Sequence, residues 1–234
     1  MSKRHGAVSV SAYEEEGYLP EALLNYLVRL GWAHGDQEIF SREEMVALFS
    51  LEHVNKSAAA FDIDKLQWLN QQYIKNTSNN KIVSWLETAL SRKNIRPASS
   101  GQIDKVVELQ KDRVKTLSEM ANTSEYFFSD FEQYDEKSAS KHLKQASLPI
   151  LQSIKASFTD LQDWNAQNIQ QCIHDYSQQS ELKLGKIAPP VRVAVCGTAN
   201  SPSIDITLEL IGKERVIKRI DDAINYISSH VEGS

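Results

Sequence analysis

Pro20-Glu21-Ala22-Leu23-Leu24-Asn25-Tyr26-Leu27-Val28-Arg29-Leu30-Gly31 has the form of a helix with both of its ends marked. Proline is tolerated in a first turn because the N–H it lacks would have no intrahelical partner there. Leu23, Leu24, Leu27 and Leu30 then make an apolar stripe, and Gly31 ends it. The same pattern continues downstream. Ser41 with Glu44 three residues later forms a capping box ahead of the apolar face Met45, Leu48 and Phe49. A third helix is predicted from Asp62, with Leu66, Leu69 and Tyr73 at helical spacing. Upstream, Val8-Ser9-Val10 reads as a short β-prone stretch with no obvious pairing partner.

Farther along, Asn76-Thr77-Ser78-Asn79-Asn80 is a polar break at which a domain boundary is expected. Helical patterns recur at Ile82/Leu86/Leu90, at Ile103/Val106/Val107/Gln110 and after Ser138, with Arg96-Pro97-Ala98-Ser99-Ser100-Gly101 between the first two. Pro149 starts another helix through Ile150, Ile154 and Phe158, and Ile169, Cys172, Ile173 and Tyr176 repeat the pattern. Val191, Val193 and Val195 alternate with Arg192 and Ala194, a period that fits a strand in a run short enough to fit a buried helix equally. Ser201-Pro202 reads as a cap followed by proline in the first turn, with Ile204, Leu208 and Ile211 apolar and Gly212 as the stop. A last helix runs from Lys213 towards Ser229. No fixed-period repeat is visible, so the expectation is an irregular, mainly α fold.

Composition agrees and excludes several classes. With 234 residues and 41% hydrophobic content the chain can bury a core, and nine glycines and six prolines without a low-complexity tract argue against disorder. Cys172 and Cys196 are too few for a disulfide framework or a paired-cysteine zinc site, and no apolar run approaches a membrane span. A reducing, cytoplasmic setting is expected, with no membrane partner. The net charge of −5 is unevenly spread. Glu119, Glu125, Asp130, Glu132, Asp135 and Glu136 share a stretch without a cation, whereas Lys186, Arg192, Lys213, Arg215, Lys218 and Arg219 crowd the tail, which therefore has the better face for phosphates.

Ser2-Lys3-Arg4-His5-Gly6 is a cationic loop of the kind that grips phosphate, although a solvated basic terminus has the same composition. The residues beyond it decide between the two. Gly17-Tyr18-Leu19-Pro20 through Leu27, Leu30-Gly31-Trp32, Gly35-Asp36, Glu38-Ile39-Phe40, Phe61-Asp62, Lys65 through Asn70 and Lys115-Thr116-Leu117 closely resemble glutamyl-tRNA synthetases in order and spacing. The likeness resumes at Pro190 through Val195, Gly197, Ser201-Pro202 and Ile211 through Arg215, and is looser between about 76 and 180. In that family the opening loop is the Lys-Met-Ser-Lys-Arg form of the class I signature, here with Met1 at its second position.

The resemblance implies a class I stem-contact region followed by an all-α anticodon-binding cage, unlike the β-barrels of the glutaminyl enzymes. It places the signature loop and stem-contact helices in 1–75 and two anticodon-binding subdomains in 76–145 and 146–234. Lys3, with Met1, Ser2 and Arg4 as its loop, matches the lysine that contacts ATP phosphates and stabilises charge on the leaving pyrophosphate. Arg192 matches an arginine that contacts the anticodon, and Ser201, Pro202 and Ile204 match a segment that packs on its bases. Arg113 aligns with an arginine that favours the tRNA-Glu wobble base; its plain alternative is an exposed helical arginine pairing with neighbours such as Glu108.

No His-x-Gly-His motif, glycine-rich phosphate loop or metal-ligand cluster is present, and His5, His34, His53, His142, His174 and His230 stand singly. ATP, Mg²⁺ and glutamate would thus be handled by the complete enzyme, through a catalytic domain in cis, and no catalytic residue is expected here. The expected partner is tRNA-Glu, and the chain alone is expected not to aminoacylate it. The rival reading is a synthetase-derived helical module that has lost RNA and binds a protein. Trp32 and Trp68 are expected in the core rather than as base-stacking platforms.

Overall fold

Side chains at the helix ends, rather than propensity alone, set where the secondary structure begins. A computed structural model describes residues 9–54, 60–97 and 99–229. The helices are α1 Val10–Glu15, α2 Pro20–Gly31, α3 Arg42–Leu48, α4 Ile63–Asn76, α5 Asn79–Arg92, α6 Ser100–Gln110, α7 Leu117–Phe128, α8 Glu136–His142, α9 Leu148–Asp160, α10 Ala166–Ser180, α11 Leu184–Cys196, α12 Ile204–Ile211 and α13 Lys213–Ser229. Among the described residues there is no strand, only an isolated bridge between Trp32 and Val54. The mainly α fold is as expected.

The predicted starts at Ser41 and Asp62 are in place. Ser41 and Glu44 form a complete capping box on α3, and the Asp62 carboxylate accepts from the backbone N–H of Asp64 and Lys65 at the start of α4. Two of the helix-start and strand readings are corrected, and the one left open is settled. Ser9 and Val10 do not form a strand: the Ser9 hydroxyl accepts from Ala12 N–H and caps α1, which begins at Val10, while Val8 lies outside the described residues. The alternating valines are helical, within α11. Val191, Val193, Ala194, Val195 and Cys196 are all buried, so the helix lacks the polar face that would have revealed its period. Ser201-Pro202 does not open α12, whose N-cap is Ser203.

The chain divides into two compact units, Met1–Asn94 with Ile103–Asn122, and Ile95–Gln102 with Thr123–Ser234. The polar break at 76–80 lies between α4 and α5, inside the first.

The first unit is built around α2 packed on α4. Tyr13, Tyr18, Leu23, Tyr26, Leu66 and Leu69 form its main core, with Trp32, Phe40 and Met45 as a second cluster. Two buried asparagines tie loops to these helices. The Asn70 side chain accepts from Leu19 N–H at 2.8 Å and donates to the Lys115 carbonyl at 2.7 Å. That of Asn25 donates to the Glu38 carbonyl at 3.0 Å and accepts from Phe40 N–H at 2.7 Å. Gly17 has φ +81°, and a Cβ there would lie 2.5 Å from Ser118 N, so only glycine allows this approach of the 17–19 loop to the start of α7. Trp32 is core, at 1% exposure, but Trp68 is 38% exposed, with the Lys65 ammonium 4.4 Å from its ring. Lys65 shields that ring from outside, which explains a tryptophan at the surface of α4.

In the second unit α11 is the central helix, packed against α8, α9, α10, α12 and α13. Its burial on so many sides accounts for the run of apolar residues from Val193 to Cys196.

Candidate nucleic-acid interface

Arg192 is the half-buried polar residue in the apolar second half of α11. Its Nη2 donates to the Pro202 carbonyl at 3.4 Å, a long bond, and its enclosed Nε has no hydrogen-bond partner among the described residues. Ser201 and Pro202 are themselves buried, and the Ser201 hydroxyl donates to the same Pro202 carbonyl at 3.0 Å. Ile204, half-buried, opens α12 immediately beyond. Four positions picked out from the sequence thus converge at one place, with Pro202 contributing a carbonyl that two of them share.

The loop that brings them together is fastened at its start. Gly197 ends α11 with φ +74°, and a Cβ there would meet the Phe131 ring at 3.2 Å. Asp135 N–H donates to the Gly197 carbonyl at 2.8 Å, and Ala199 N–H donates to the Ser138 hydroxyl at 3.1 Å. The buried Cys196 thiol at the end of α11 is pushed up to about 12 by burial, against the lowering effect of a hydrogen bond with Ser201. It stays protonated at neutral pH.

Arg219, on α13, holds the same helix end from the other side. Its Nη1 donates to the Val195 carbonyl at 2.7 Å and to that of Tyr126 at 2.9 Å, its Nη2 to that of Ser129 at 2.7 Å, and its Nε to the Asp130 carboxylate at 3.1 Å. Its guanidinium carbon lies 5.1 Å from the Phe131 ring centre. Burial lowers the Arg219 pKa, and hydrogen bonding to Asp130 opposes this. Asp130 is held below the usual carboxylate range, chiefly by Lys218 at 2.6 Å and then by Arg219.

This arrangement changes the reading of the basic tail. Arg215, Lys218 and Arg219 all face Asp130, and the Lys213 ammonium donates to the carbonyls of Thr159 and Leu161 at the end of α9. Those cations secure the fold. The positioning roles of Arg219 and Ser138 have no local sequence signal, because their partners lie far away along the chain; Gly197 directly after an apolar run is the one readable mark.

Arg113 belongs to the first unit, in the turn after α6 rather than on a helix, where its N–H donates to the Gln110 carbonyl at 2.8 Å. It is exposed. Met1, Ser2, Lys3 and Arg4 lie outside the described residues, as do His5 and His230. Among the described residues no three His, Cys, Asp or Glu side chains group as metal ligands, and no helix is long and apolar enough to cross a membrane.

The all-helical second unit brings Arg192 to the Ser201-Pro202 segment, and residues 63–224 match the family model described as an anticodon binding domain. Residues 1–68 match the model of the catalytic domain of class I tRNA synthetases for Glu and Gln. The chain is 32% identical to a glutamate tRNA ligase from Elizabethkingia meningosepticum, solved in complex with its amino acid, over 97% of this chain and 45% of that one, with a TM-score of 0.84. With the glutamate-tRNA synthetase of Elizabethkingia anophelis the figures are 34%, 91%, 42% and 0.79. The chain belongs to the glutamate–tRNA ligase family. It spans less than half the length of either of these two relatives.

Proposed function

We propose that this chain recognises tRNA-Glu by its anticodon, as the RNA-reading portion of a glutamate–tRNA ligase. The observation that carries the reading is the convergence of Arg192, Ser201, Pro202 and Ile204, with the Arg192 guanidinium short of partners. Anticodon bases are splayed from their loop and read by edge hydrogen bonds and stacking, and a planar guanidinium supplies both. The half-buried Ile204, two residues beyond Pro202, offers an apolar contact for a base. A site built on one such donor needs no broad basic face, which fits a tail in which Lys213, Arg215, Lys218 and Arg219 are engaged internally.

In this reading Arg113 touches the wobble position. ATP and Mg²⁺ serve the complete enzyme, with Lys3 reaching the phosphates, and glutamate transfer depends on a catalytic domain in cis. The chain works in the cytoplasm and does not aminoacylate alone. A protein-binding module that has lost RNA is less favoured, because such a surface has no use for an arginine held beside Ser201-Pro202.

The test is filter binding of the chain to tRNA-Glu and to an anticodon variant across a salt series. The wild-type RNA should bind more tightly at every salt concentration, and Arg192→Ala should reduce the difference by about 1–3 kcal/mol. Equal binding of the two RNAs in moderate salt refutes the reading.

A further inference from the structure

The tail was expected to offer the better face for phosphates, but Lys213, Arg215, Lys218 and Arg219 are engaged by the fold. The second unit has another set of cations. Lys137 and Lys141, one turn apart on α8, and Lys144, one residue past its C-cap, are exposed. None of these three ammonium groups makes an ion pair or a hydrogen bond among the described residues. Asp135, at the start of the helix, accepts from the N–H and hydroxyl of Ser138 instead.

The arrangement does little for the fold by itself. Helical residues four apart are neighbours, so Lys137 and Lys141 repel each other, and no Asp or Glu stands three or four positions from either. Lys137 is also in the first turn of α8, the end at which the helix dipole disfavours a cation. Packing does not call for the lysines, because Ser138, Ala139 and Leu143 are the buried residues here. The half-buried His142 registers the resulting potential: burial lowers its pKa first, and Lys141 and Lys144 lower it further.

α8 is joined to the loop that carries Ser201 and Pro202. It packs on α11, Asp135 N–H donates to the Gly197 carbonyl, and the Ser138 hydroxyl accepts from Ala199 N–H. Lys137 lies in the chain between those two anchors. Lys183 and Lys186, another exposed pair, are at the opposite end of α11.

We infer that Lys137, Lys141 and Lys144 form a phosphate track, holding the backbone of the RNA strand whose bases reach Arg192 and Ser201-Pro202. This rests on the anticodon reading. A row of unpaired cations calls for a polyanion, and its attachment to the base-reading loop selects RNA over an acidic protein. An ammonium on a flexible stem attracts charge without fixing geometry. The track therefore adds affinity and register, while sequence is read at Arg192.

The test compares Lys137→Gln/Lys141→Gln with Lys183→Gln/Lys186→Gln, which removes the same charge, by filter binding to tRNA-Glu and its anticodon variant across a salt series. The α8 variant should lower the slope of log affinity against log salt by about 1–2, and weaken both RNAs about tenfold in about 0.1 M salt. Anticodon discrimination and thermal unfolding should not change. Ethylation interference should mark phosphates of the anticodon arm, and the α8 variant should lose those marks. An unchanged slope, an equal fall with the Lys183/Lys186 variant, or marks confined to another arm of the RNA overturns the track. If the wild-type chain bound both RNAs equally while the α8 variant still lowered the slope, anticodon recognition would fall and the track would stand.

Discussion

Arg219→Met should destabilise the second unit by about 3 kcal/mol, a figure set by the groups the guanidinium holds. The residue is 2% exposed, and its donors serve the carbonyls of Tyr126, Ser129 and Val195 together with the Asp130 carboxylate. Each hydrogen bond contributes about 1 kcal/mol net, and a buried acceptor left unpaired costs roughly 1–3 kcal/mol. Breaking a buried ion pair by removing one partner costs about 3–5 kcal/mol. The lower end applies because the Asp130 side chain is 46% exposed and keeps Lys218, so water and that ammonium relieve it; the exposed Lys218–Asp130 pair itself adds little. Methionine preserves most of the stem, which keeps the packing loss small. Native-state hydrogen exchange read by mass spectrometry is the assay, since two units need not unfold together. Peptides from α11 and α13 should lose protection, peptides from α2 and α4 should not, and Arg219→Lys should fail to restore it because a single ammonium cannot replace the fork. A loss below about 1 kcal/mol, on the scale of one ordinary hydrogen bond, or a loss spread evenly over both units, would refute the reasoning.

Gly17→Ala should destabilise the first unit by more than about 2 kcal/mol, combining a positive φ with a Cβ held 2.5 Å from Ser118 N, as urea denaturation would show. Cys172, half-buried, should react with a thiol reagent in the native protein, whereas the buried Cys196 should react only at the rate of unfolding; mass spectrometry of timed samples distinguishes the two. The Asp130 carboxyl is depressed in the folded state, so its stabilising contribution is present above the ordinary carboxylate pKa and is lost as pH falls through the depressed value. Thermal unfolding below about pH 4 should therefore show a loss that Asp130→Asn removes.

The helices of the first unit are legible in the sequence because their signals are local. Pro20, the Ser41–Glu44 box and Asp62 each act within one turn of the chain. α11 is not, because a helix enclosed on most sides carries no polar stripe, and the spacing of its valines satisfies either period. Ser201-Pro202 misleads for another local reason. A Ser-Pro pair is a good helix start, but Ser201 and Arg192 both use the Pro202 carbonyl, and the helix begins at Ile204. Trp68 looks like core by residue type, and only Lys65 above its ring explains its place.

The candidate site is legible as residues but not as a distribution of charge. Arg192 and Arg219 have the same side chain in the same basic stretch, and the sequence offers nothing to rank them. Their hydrogen bonds do. Arg219 has four hydrogen bonds of 3.1 Å or less, whereas Arg192 has one long bond and an enclosed Nε without a partner among the described residues. An unpaired buried donor costs roughly 1–3 kcal/mol, so the fold would gain by replacing it, and Arg192→Met should leave thermal stability unchanged or raise it while reducing anticodon discrimination by about 1–3 kcal/mol. Opposite effects of one substitution at these two positions separate a guanidinium that builds the protein from one held for RNA. If Arg192→Met instead destabilised the second unit as much as Arg219→Met, Arg192 would be a structural residue, and the proposed recognition would lose its central donor.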